Sequence, residues 1–483
     1  MEPTESEVAR WLGNADRASD WSGVTTVVAG LGLSGFAAAD ALLRVGARVT
    51  VLDHSDDAAR GERADVLRTL GAVVQLGSHV GPPGNVDLLI PSPGLTPSHP
   101  WVHGSSASCI WSGEQLAWRL RPLQDPAPWL VLSGTNGKTT TVEMLASMLR
   151  ASGLASTAAG NVGRPLVEAV FAEPSYDVLA VELSSFQLHW TAQIQPHAAA
   201  LLNIAVDHVD WHGSMAAYVA DKAKVLNGAT TAVIYNREDP ETERLARQAD
   251  VAEGCRGVGF TMGIPDVGML GVVDDVLVDR AFIDSRRTHA QELATVSDVQ
   301  ASGAHNVANA LAAAALARSI GTSPAAVRQG LLDFAPAEHR LQSVATIAQV
   351  KYINDSKATN VHAADVALAA FDRVVWIAGG LAKGGRFDDL VKRHRSRLRA
   401  VVLLGADRSL IRQAVERHAP EIPVIEVPDG ETNPMEHAVR AAAGLARPDD
   451  TVLLAPAGAS MDQFTDYADR GRAFVAAVRR LGQ

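Results

Sequence analysis

The sequence of 483 residues holds only two cysteines, Cys109 and Cys255, far apart and without metal-ligand spacing. A disulfide scaffold and a cysteine-built zinc site are thereby excluded, and a reducing compartment is the expected home. No window approaches the roughly 20 apolar residues that a helix needs to cross a bilayer. The opening MEPTESEVARW is acidic and lacks the basic segment and apolar core of a secretory signal. A Lys/Arg-rich run is missing too, and 43 basic against 54 acidic side chains leave a net charge of −11. Sequence-independent nucleic-acid binding needs concentrated positive charge and is not expected. Neither an internal repeat nor a low-complexity tract is visible. These absences lead to the expectation of a soluble cytoplasmic protein without membrane insertion.

What is present suits a globular chain. Hydrophobic residues make up 47% and charged ones 20%, which supplies real cores and excludes disorder. At roughly 100–200 residues per domain, the length suggests three domains. A strand over 24–29, a glycine turn, an alanine-rich helix to about 46 and a strand over 47–52 ending in Asp53 form a βαβ unit. Residues 87–94 read as a later strand closed by a Pro/Gly turn, and the proline-rich stretch 121–128 as a linker. A new strand over 129–132 opens a second α/β unit that runs to about residue 335. It contains short buried strands at 178–181 and 198–203 and a helix over 305–318. After a break at 334–340, strands at 374–378, 400–404, 424–427 and 451–454 alternate with helical patterns. The chain reads as three α/β units on mostly parallel sheets.

Two glycine loops point to phosphate. Ser133-Gly-Thr-Asn-Gly-Lys-Thr-Thr140 lies between a strand and a helix. Its glycines let backbone N–H groups face anionic oxygens, Lys138 supplies charge for the β/γ-phosphates, and the Thr139 hydroxyl can ligate Mg²⁺. Leu132 stands where the strict P-loop pattern has a glycine, so this is a shortened variant, and ATP is the expected ligand. Gly30-Leu-Gly-Leu-Ser-Gly35 matches the dinucleotide fingerprint, with Asp53 near the position of a ribose-binding acid. This loop alone leaves a dinucleotide and another phosphate-bearing ligand equally open. The second nucleotide site downstream favours a nucleotide-linked substrate.

Glu182 falls at the end of a buried strand, the ligand-facing edge of an α/β sheet, and Asp207-His-Val-Asp210 follows another strand. A carboxylate and an imidazole at neighbouring strand ends could hold Mg²⁺, although that ion prefers oxygen. The local pattern of His208 favours a plain loop residue. That of Lys222 favours a solvated helix lysine.

Taken in order, the motifs resemble the Mur ligase family, in its D-glutamate-adding branch. They are Gly30-Leu-Gly-Leu-Ser-Gly35, Ser92-Pro-Gly94, Gly134-Thr-Asn-Gly-Lys-Thr139, Gly160-Asn-Val-Gly163 and Glu182-Leu-Ser-Ser-Phe-Gln187. Asp207-His-Val-Asp210, His305-Asn-Val-Ala-Asn309, Glu338-His-Arg-Leu341, Asn354-Asp-Ser-Lys-Ala-Thr-Asn360 and Ala459-Ser-Met-Asp-Gln-Phe464 continue them, so nearly the whole chain is covered. The resemblance implies three α/β domains: a Rossmann-like UDP-sugar domain over 1–126, a P-loop ATPase-like domain over 127–337, and a Rossmann-like amino-acid-binding domain over 338–483. It implies ATP-driven addition of D-glutamate to UDP-N-acetylmuramoyl-L-alanine through an acyl phosphate, in peptidoglycan precursor synthesis and thus in cell-wall biogenesis, cell shape and division. A monomer is expected. A folylpolyglutamate synthase-like ligase, an NAD-dependent dehydrogenase and a nucleotide sensor are the rival readings.

The same resemblance assigns roles. Gly134, Thr135, Asn136, Gly137, Lys138, Thr139 and Thr140 would hold the ATP phosphates, with Asn306 and Asn309 beside ATP. Glu182 and His208 would be ligands of a second Mg²⁺. Lys222 aligns with the lysine that carries a CO₂-derived carbamate in this family, which would make it a metal ligand and reverses the local reading. Asn161 would contact substrate, and His339, Arg340 and Asp355 would serve the nucleotide, with Lys383 reaching the cleft. For D-glutamate the positions are Lys357, Thr359, Ser460, Met461 and Tyr467, the last often phenylalanine in the family. For the UDP end they are Leu33, Ser34, Asp53, His54, Ser55, Ser92, Pro93 and Gly94, with His54 departing from the Thr or Arg of some relatives. Domain closure about hinges near Pro126 and Pro336 is the expected motion.

Overall fold

Runs of valine, leucine, isoleucine and alanine bounded by glycine turns build three separate sheets in this computed structural model, which describes residues 5–81, 83–300, 303–335 and 338–482. The first sheet contains β1 (Thr25–Ala29), β2 (Arg48–Asp53), β3 (Val73–Leu76), β4 (Leu88–Pro91) and β5 (Cys109–Ile110). Its order is β3-β2-β1-β4-β5 and every pairing is parallel. The second contains β6 (Trp129–Ser133), β7 (Ser156–Gly160), β8 (Val178–Glu182), β9 (Ala198–Leu201), β10 (Ala232–Asn236), β11 (Arg256–Phe260), β12 (Met269–Val273), β13 (Val276–Asp279) and β14 (Gln291–Thr295). Its order is β14-β13-β12-β11-β10-β9-β6-β8-β7. The third contains β15 (Gln342–Ile347), β16 (Val350–Asn354), β17 (Val374–Gly379), β18 (Leu398–Leu404), β19 (Val424–Glu426) and β20 (Thr451–Ala457), in the order β15-β16-β20-β17-β18-β19.

Central parallel strands are covered on both faces by helices and therefore carry unbroken apolar runs. Every residue of β6, β8, β17 and β20 is buried. Each large aliphatic side chain so enclosed contributes about 1.5–3 kcal/mol relative to exposure. Helix Pro324–Leu332 lies directly on helix Lys138–Ala151, because a Cβ on Gly330 would come within 2.4 Å of the Met148 Cα.

The strands expected from the sequence are present to within about three residues at their ends, and the helix expected over 305–318 runs Ala304–Ser319. Two antiparallel features are not visible in the sequence pattern. β12, β13 and β14 extend the middle sheet as a meander, and β15 pairs antiparallel with β16. The β15–β16 turn is made by Ala348 and Gln349, both at positive φ (48° and 62°). A two-residue hairpin wants such angles, but normally advertises them with asparagine or glycine. Alanine and glutamine conceal the turn.

The chain divides into two compact units. One comprises Met1–Ile204, Ala216–Gln300 and Asn306–Phe334, and holds the first and second sheets; the other comprises Ala205–Met215, Ala301–His305 and Ala335–Gln483, and holds the third. The stretch 121–128 is irregular chain between helix Gly113–Arg119 and β6. Pro336, expected near a hinge, lies outside the described residues. Both cysteines are unpaired and half-buried. Among the described residues no helix is long and apolar enough to cross a membrane.

Candidate active site

In the first sheet the glycine loop follows β1 and leads into helix Leu33–Arg44, whose N-terminus is capped by Gly32 without a side-chain hydrogen bond among the described residues. Gly30 has φ +108°, and a Cβ on it would lie 2.7 Å from the Ser92 Cβ, so the loop rests against the turn after β4. Asp53 ends β2 and is spent inside the protein. Its Oδ2 accepts from the Leu31 N–H (2.6 Å) and Arg60 Nε (3.1 Å), and its Oδ1 from the Ser55 N–H (2.8 Å). His54 is exposed and stacks on Trp101 at 3.9 Å between ring centroids. Leu33 is 69% exposed beside Ser34, while Ser92 and Pro93 are half-buried and Gly94 is exposed. All eight UDP-site candidates thus belong to three segments at the C-terminal ends of β1, β2 and β4, an apolar and polar rim around an uncapped helix N-terminus suited to a diphosphate.

In the second sheet the phosphate loop follows β6 and leads into helix Lys138–Ala151. Gly137 caps that helix at φ +82°. Asn203, two residues beyond β9, clamps the loop: its Oδ1 accepts from the Asn136 N–H (2.8 Å), its Nδ2 donates to the Asn136 carbonyl (3.0 Å), and its own carbonyl accepts from the Thr135 N–H (3.0 Å). Sequence reading places Asn203 only on a strand; its position one strand beside the loop is the signal that marks it. Lys138 Nζ donates to the Thr135 carbonyl at 2.9 Å, and Thr139 and Thr140 are buried. Asn306 and Asn309 share one helix face, with Asn309 Nδ2 donating to Asn306 Oδ1 at 3.1 Å.

Glu182 ends β8, the strand next to β6, and is 1% exposed. Its Oε1 accepts from Asn161 Nδ2 at 2.7 Å, while Oε2 is buried with no hydrogen-bond partner among the described residues. A buried carboxylate oxygen left unpaired is costly unless a cation completes it. The donor set therefore fits a divalent ion. Asn161 follows β7, and its N–H donates to the Glu182 carbonyl at 2.9 Å.

Lys222 corrects the reading of a solvated lysine. It is 2% exposed, its Nζ donates to the Gly134 carbonyl at 2.7 Å, and it lies 5.0 Å from the centroid of the Tyr218 ring. The Tyr218 hydroxyl in turn bonds Thr135 Oγ1 at 2.8 Å. The lysine is anchored to the phosphate loop, and no feature of its local sequence shows this.

The second unit gathers another constellation at the strand ends of the third sheet. Loops 355–360, 380–384 and 458–464 follow β16, β17 and β20, which are adjacent. Asp207 accepts from Lys383 Nζ (2.9 Å) and Asn360 Nδ2 (3.1 Å). Burial pushes the Asp207 carboxyl up, but Lys383, His208 and the two hydrogen bonds outweigh it and hold it below its ordinary value. His208, at φ +51°, donates its N–H to Asp207 Oδ1 at 3.0 Å and keeps its ring 3.5 Å from Oδ2. His208 thus lies in the second unit and Glu182 in the first.

His339 is buried at φ +66°, with Asn354 Nδ2 2.9 Å from its Nδ1. Burial pushes the His339 ring down, as it does His305, which reaches about 4 with Arg340 and His362 adding repulsion. Asp355 receives the Leu341 N–H at 3.2 Å, and burial raises its carboxyl to about 7. Lys357 Nζ sits 3.7 Å from the centroid of the Tyr467 ring, a cation–π contact. Thr359 is half-buried, Ser460 buried and Met461 70% exposed. Arg470, absent from the sequence reading, is 2% exposed and ties these loops together: it donates to Ser356 Oγ (3.0 Å), the Ser356 carbonyl (2.9 Å) and the Gly458 carbonyl (3.1 Å).

A phosphate loop on one strand end and a cation-seeking acid on the next define a P-loop α/β enzyme that uses a nucleoside triphosphate. Residues 132–317 match the Mur ligase middle domain, and residues 339–458 match the Mur ligase, glutamate ligase domain. Over 468 residues the chain is 54% identical to UDP-N-acetylmuramoylalanine--D-glutamate ligase of Streptomyces coelicolor, covering 96% of this chain and 99% of that protein. The ligase of the same name from Thermobifida fusca is 54% identical over 459 residues, covering 94% and 98%. Among solved structures, UDP-N-acetylmuramate-alanine ligase MurC from Thermotoga maritima shares the fold, with a TM-score of 0.57 at 18% identity over 95% of this chain and 99% of that one. The chain belongs to the Mur ligase family.

Proposed function

We propose that this protein joins D-glutamate to UDP-N-acetylmuramoyl-L-alanine at the expense of ATP, a step of peptidoglycan precursor synthesis. The observation that carries the reading is the near-complete alignment with ligases of that name at 54% identity. The unpaired Glu182 oxygen beside the phosphate loop supports the chemistry it requires. We further assign UDP-sugar binding to 1–126, ATP binding to 127–337 and amino-acid binding to 338–483, in a cytoplasmic monomer.

The substrate carboxylate attacks the γ-phosphate of ATP, ADP leaves, and an acyl phosphate forms. The amine of D-glutamate then attacks the acyl carbon, a proton is lost, and inorganic phosphate departs as the amide forms. Two anions must meet in the first step, so positioning and charge compensation carry the catalysis. Lys138 and the backbone N–H groups of Gly134 to Thr140 hold the triphosphate. Asn306 and Asn309 sit beside ATP, while His339, Arg340 and Asp355 orient the nucleotide. The residues that would hold two Mg²⁺ ions are Thr139 for one and Glu182, His208 and Lys222 as its carbamate for the other, and bound there the ions offset phosphate charge. An ammonium on Lys222 would repel such ions, whereas a carbamate keeps an N–H for the Gly134 carbonyl and supplies an anion. Lys357 neutralises a D-glutamate carboxylate, with hydroxyls of Thr359, Ser460 and Tyr467 beside it, Met461 at the rim and Lys383 reaching the cleft. Leu33, Ser34, His54 and the 92–94 turn receive the UDP moiety on a frame held by Asp53 and Ser55, and Asn161 meets the sugar-linked peptide.

Phosphate release from ATP with Mg²⁺ and UDP-N-acetylmuramoyl-L-alanine tests the reading, with D- and L-glutamate added separately. Turnover with D-glutamate alone is expected. ATP binding without turnover on either enantiomer would refute the amino-acid assignment.

A further inference from the structure

Glu114 is a buried acid for which the reaction above has no use. It lies in helix Gly113–Arg119, between the first and second sheets in sequence, and is 5% exposed. Its Oε1 accepts from Gln187 Nε2 at 2.6 Å, and its Oε2 is buried without a partner among the described residues. Gln187 is 2% exposed and spends its other end on Ser184: Oε1 accepts from the Ser184 N–H at 2.8 Å and from Ser184 Oγ at 2.9 Å. Ser184 Oγ accepts the Gln187 N–H in return at 3.2 Å, closing a capping box. Two residues upstream of Ser184 stands Glu182. The chain of bonds therefore runs from Glu114 through one amide to the turn that carries the cation-seeking carboxylate. The same turn is held from the phosphate-loop side by Ser133 Oγ, which donates to the Leu183 carbonyl at 2.7 Å.

The helix bearing Glu114 is docked at more than one point. The Ser112 N–H donates to the Trp190 carbonyl at 3.0 Å, and Gln115 Oε1 accepts from the N–H groups of Ala192 (3.0 Å) and Gln193 (2.8 Å). Those bonds hold the helix to the same segment beside the one that Glu114 makes to Gln187. Burial pushes its carboxyl up, which favours the neutral acid inside this joint.

We propose that Glu114 is a positioning residue for metal binding: through Gln187 and Ser184 it sets the turn that presents Glu182 to the divalent ion. The proposal rests on the reading of Glu182 as a metal ligand. It predicts that loss of the acceptor at 114 moves metal affinity while leaving nucleotide binding by the phosphate loop in place, as expected for a residue that orients a ligand without touching the ion.

Glu114→Met keeps volume and removes the acceptor, whereas Glu114→Gln keeps an acceptor oxygen for Gln187 Nε2. Bound Mn²⁺ is titrated by electron paramagnetic resonance on the full chain with a non-hydrolysable ATP analogue, beside kcat and KM for phosphate release. Glu114→Met is expected to weaken Mn²⁺ binding and lower kcat by about tenfold each, with KM for ATP unchanged within about twofold; Glu114→Gln stays within about threefold of the parent. Unchanged Mn²⁺ affinity in Glu114→Met, even with a lower melting temperature, overturns the proposal. Should Glu114→Met fail to fold, the double variant Glu114→Met/Gln187→Met removes the stranded amide and is expected to show the same Mn²⁺ loss, its absence again being fatal. A parent enzyme that binds Mn²⁺ but fails to turn over D-glutamate would refute the substrate assignment alone, since the Mn²⁺ titration reads Glu114 independently.

Discussion

A methyl group on Gly137 would lie 2.3 Å from the side-chain oxygen of Asn309. The phosphate loop and helix Ala304–Ser319 thus meet where only glycine fits, at a φ of +82° that L side chains disfavour. Gly137→Ala is expected to weaken ATP binding by at least about tenfold, as a 1–2 kcal/mol backbone penalty and a steric clash combine. Titration calorimetry with Mg-ATP reads the loss.

Glu182→Gln keeps the shape of the side chain and its acceptor for Asn161, and removes the charge at the unpaired oxygen. Phosphate release should fall by about 100-fold, the scale of losing one electrostatic contact in a transition state. Circular dichroism should show the fold retained, and without metal the melting temperature should not fall, since an unpaired buried charge is removed. A Glu182→Gln enzyme with parental turnover would remove the residue from the metal site.

Asp355 makes stability depend on pH. Burial raises its carboxyl from 3.8 to about 7, against the Leu341 N–H and Arg340, which lower it. The folded chain therefore binds this proton more tightly than the unfolded chain. The stability this contributes is fully present below the unfolded value near 3.8 and is lost as pH rises through about 7. Asp355→Asn escapes that loss and should be more stable than the parent at pH 8 by about 2 kcal/mol, with no advantage at pH 4. Urea melts at the two pH values measure the difference, and activity should drop in the same variant.

Arg470→Met strands the carbonyls of Ser356 and Gly458 at once and takes one bond from the Ser356 hydroxyl, which keeps its own to the Tyr467 carbonyl. A cost of about 2–4 kcal/mol is expected, since each buried acceptor left unmade is penalised. Because Lys357 follows Ser356 and Ser460 stands two residues beyond Gly458, KM for D-glutamate should rise while ATP binding holds. Arg470→Lys should rescue poorly, for one ammonium cannot copy the guanidinium fork. Differential scanning calorimetry and substrate titration separate the two effects.

Much of this architecture is legible in the sequence because parallel strands advertise themselves as short apolar runs and phosphate loops as glycine turns between strand and helix. The phosphate loop and Glu182 stand at strand ends where local pattern places them. Lys222 is different: its helix shows an ordinary lysine, and only folding reveals that Tyr218 and the Gly134 carbonyl surround it. Glu114 is hidden for a similar reason, since its partner Gln187 is 73 residues away. The hairpin turn at Ala348 and Gln349 is invisible because neither residue type signals a positive φ. What local sequence withholds is contact made at long range.

The adjacency of β6 and β8 has a consequence for how such an enzyme can diversify. Parallel neighbours stand about 4.8 Å apart, held by main-chain bonds that no side-chain exchange disturbs. The spacing between the glycine loop after β6 and Glu182 is therefore a ruler built into the backbone. The loops that would grip the amino acid belong to another sheet in another compact unit. Changes in those loops can retune which amine is accepted without shortening or stretching the ruler, although Asp355, which serves the nucleotide, shares the 355–360 loop with Lys357 and Thr359 and ties the two tasks together there.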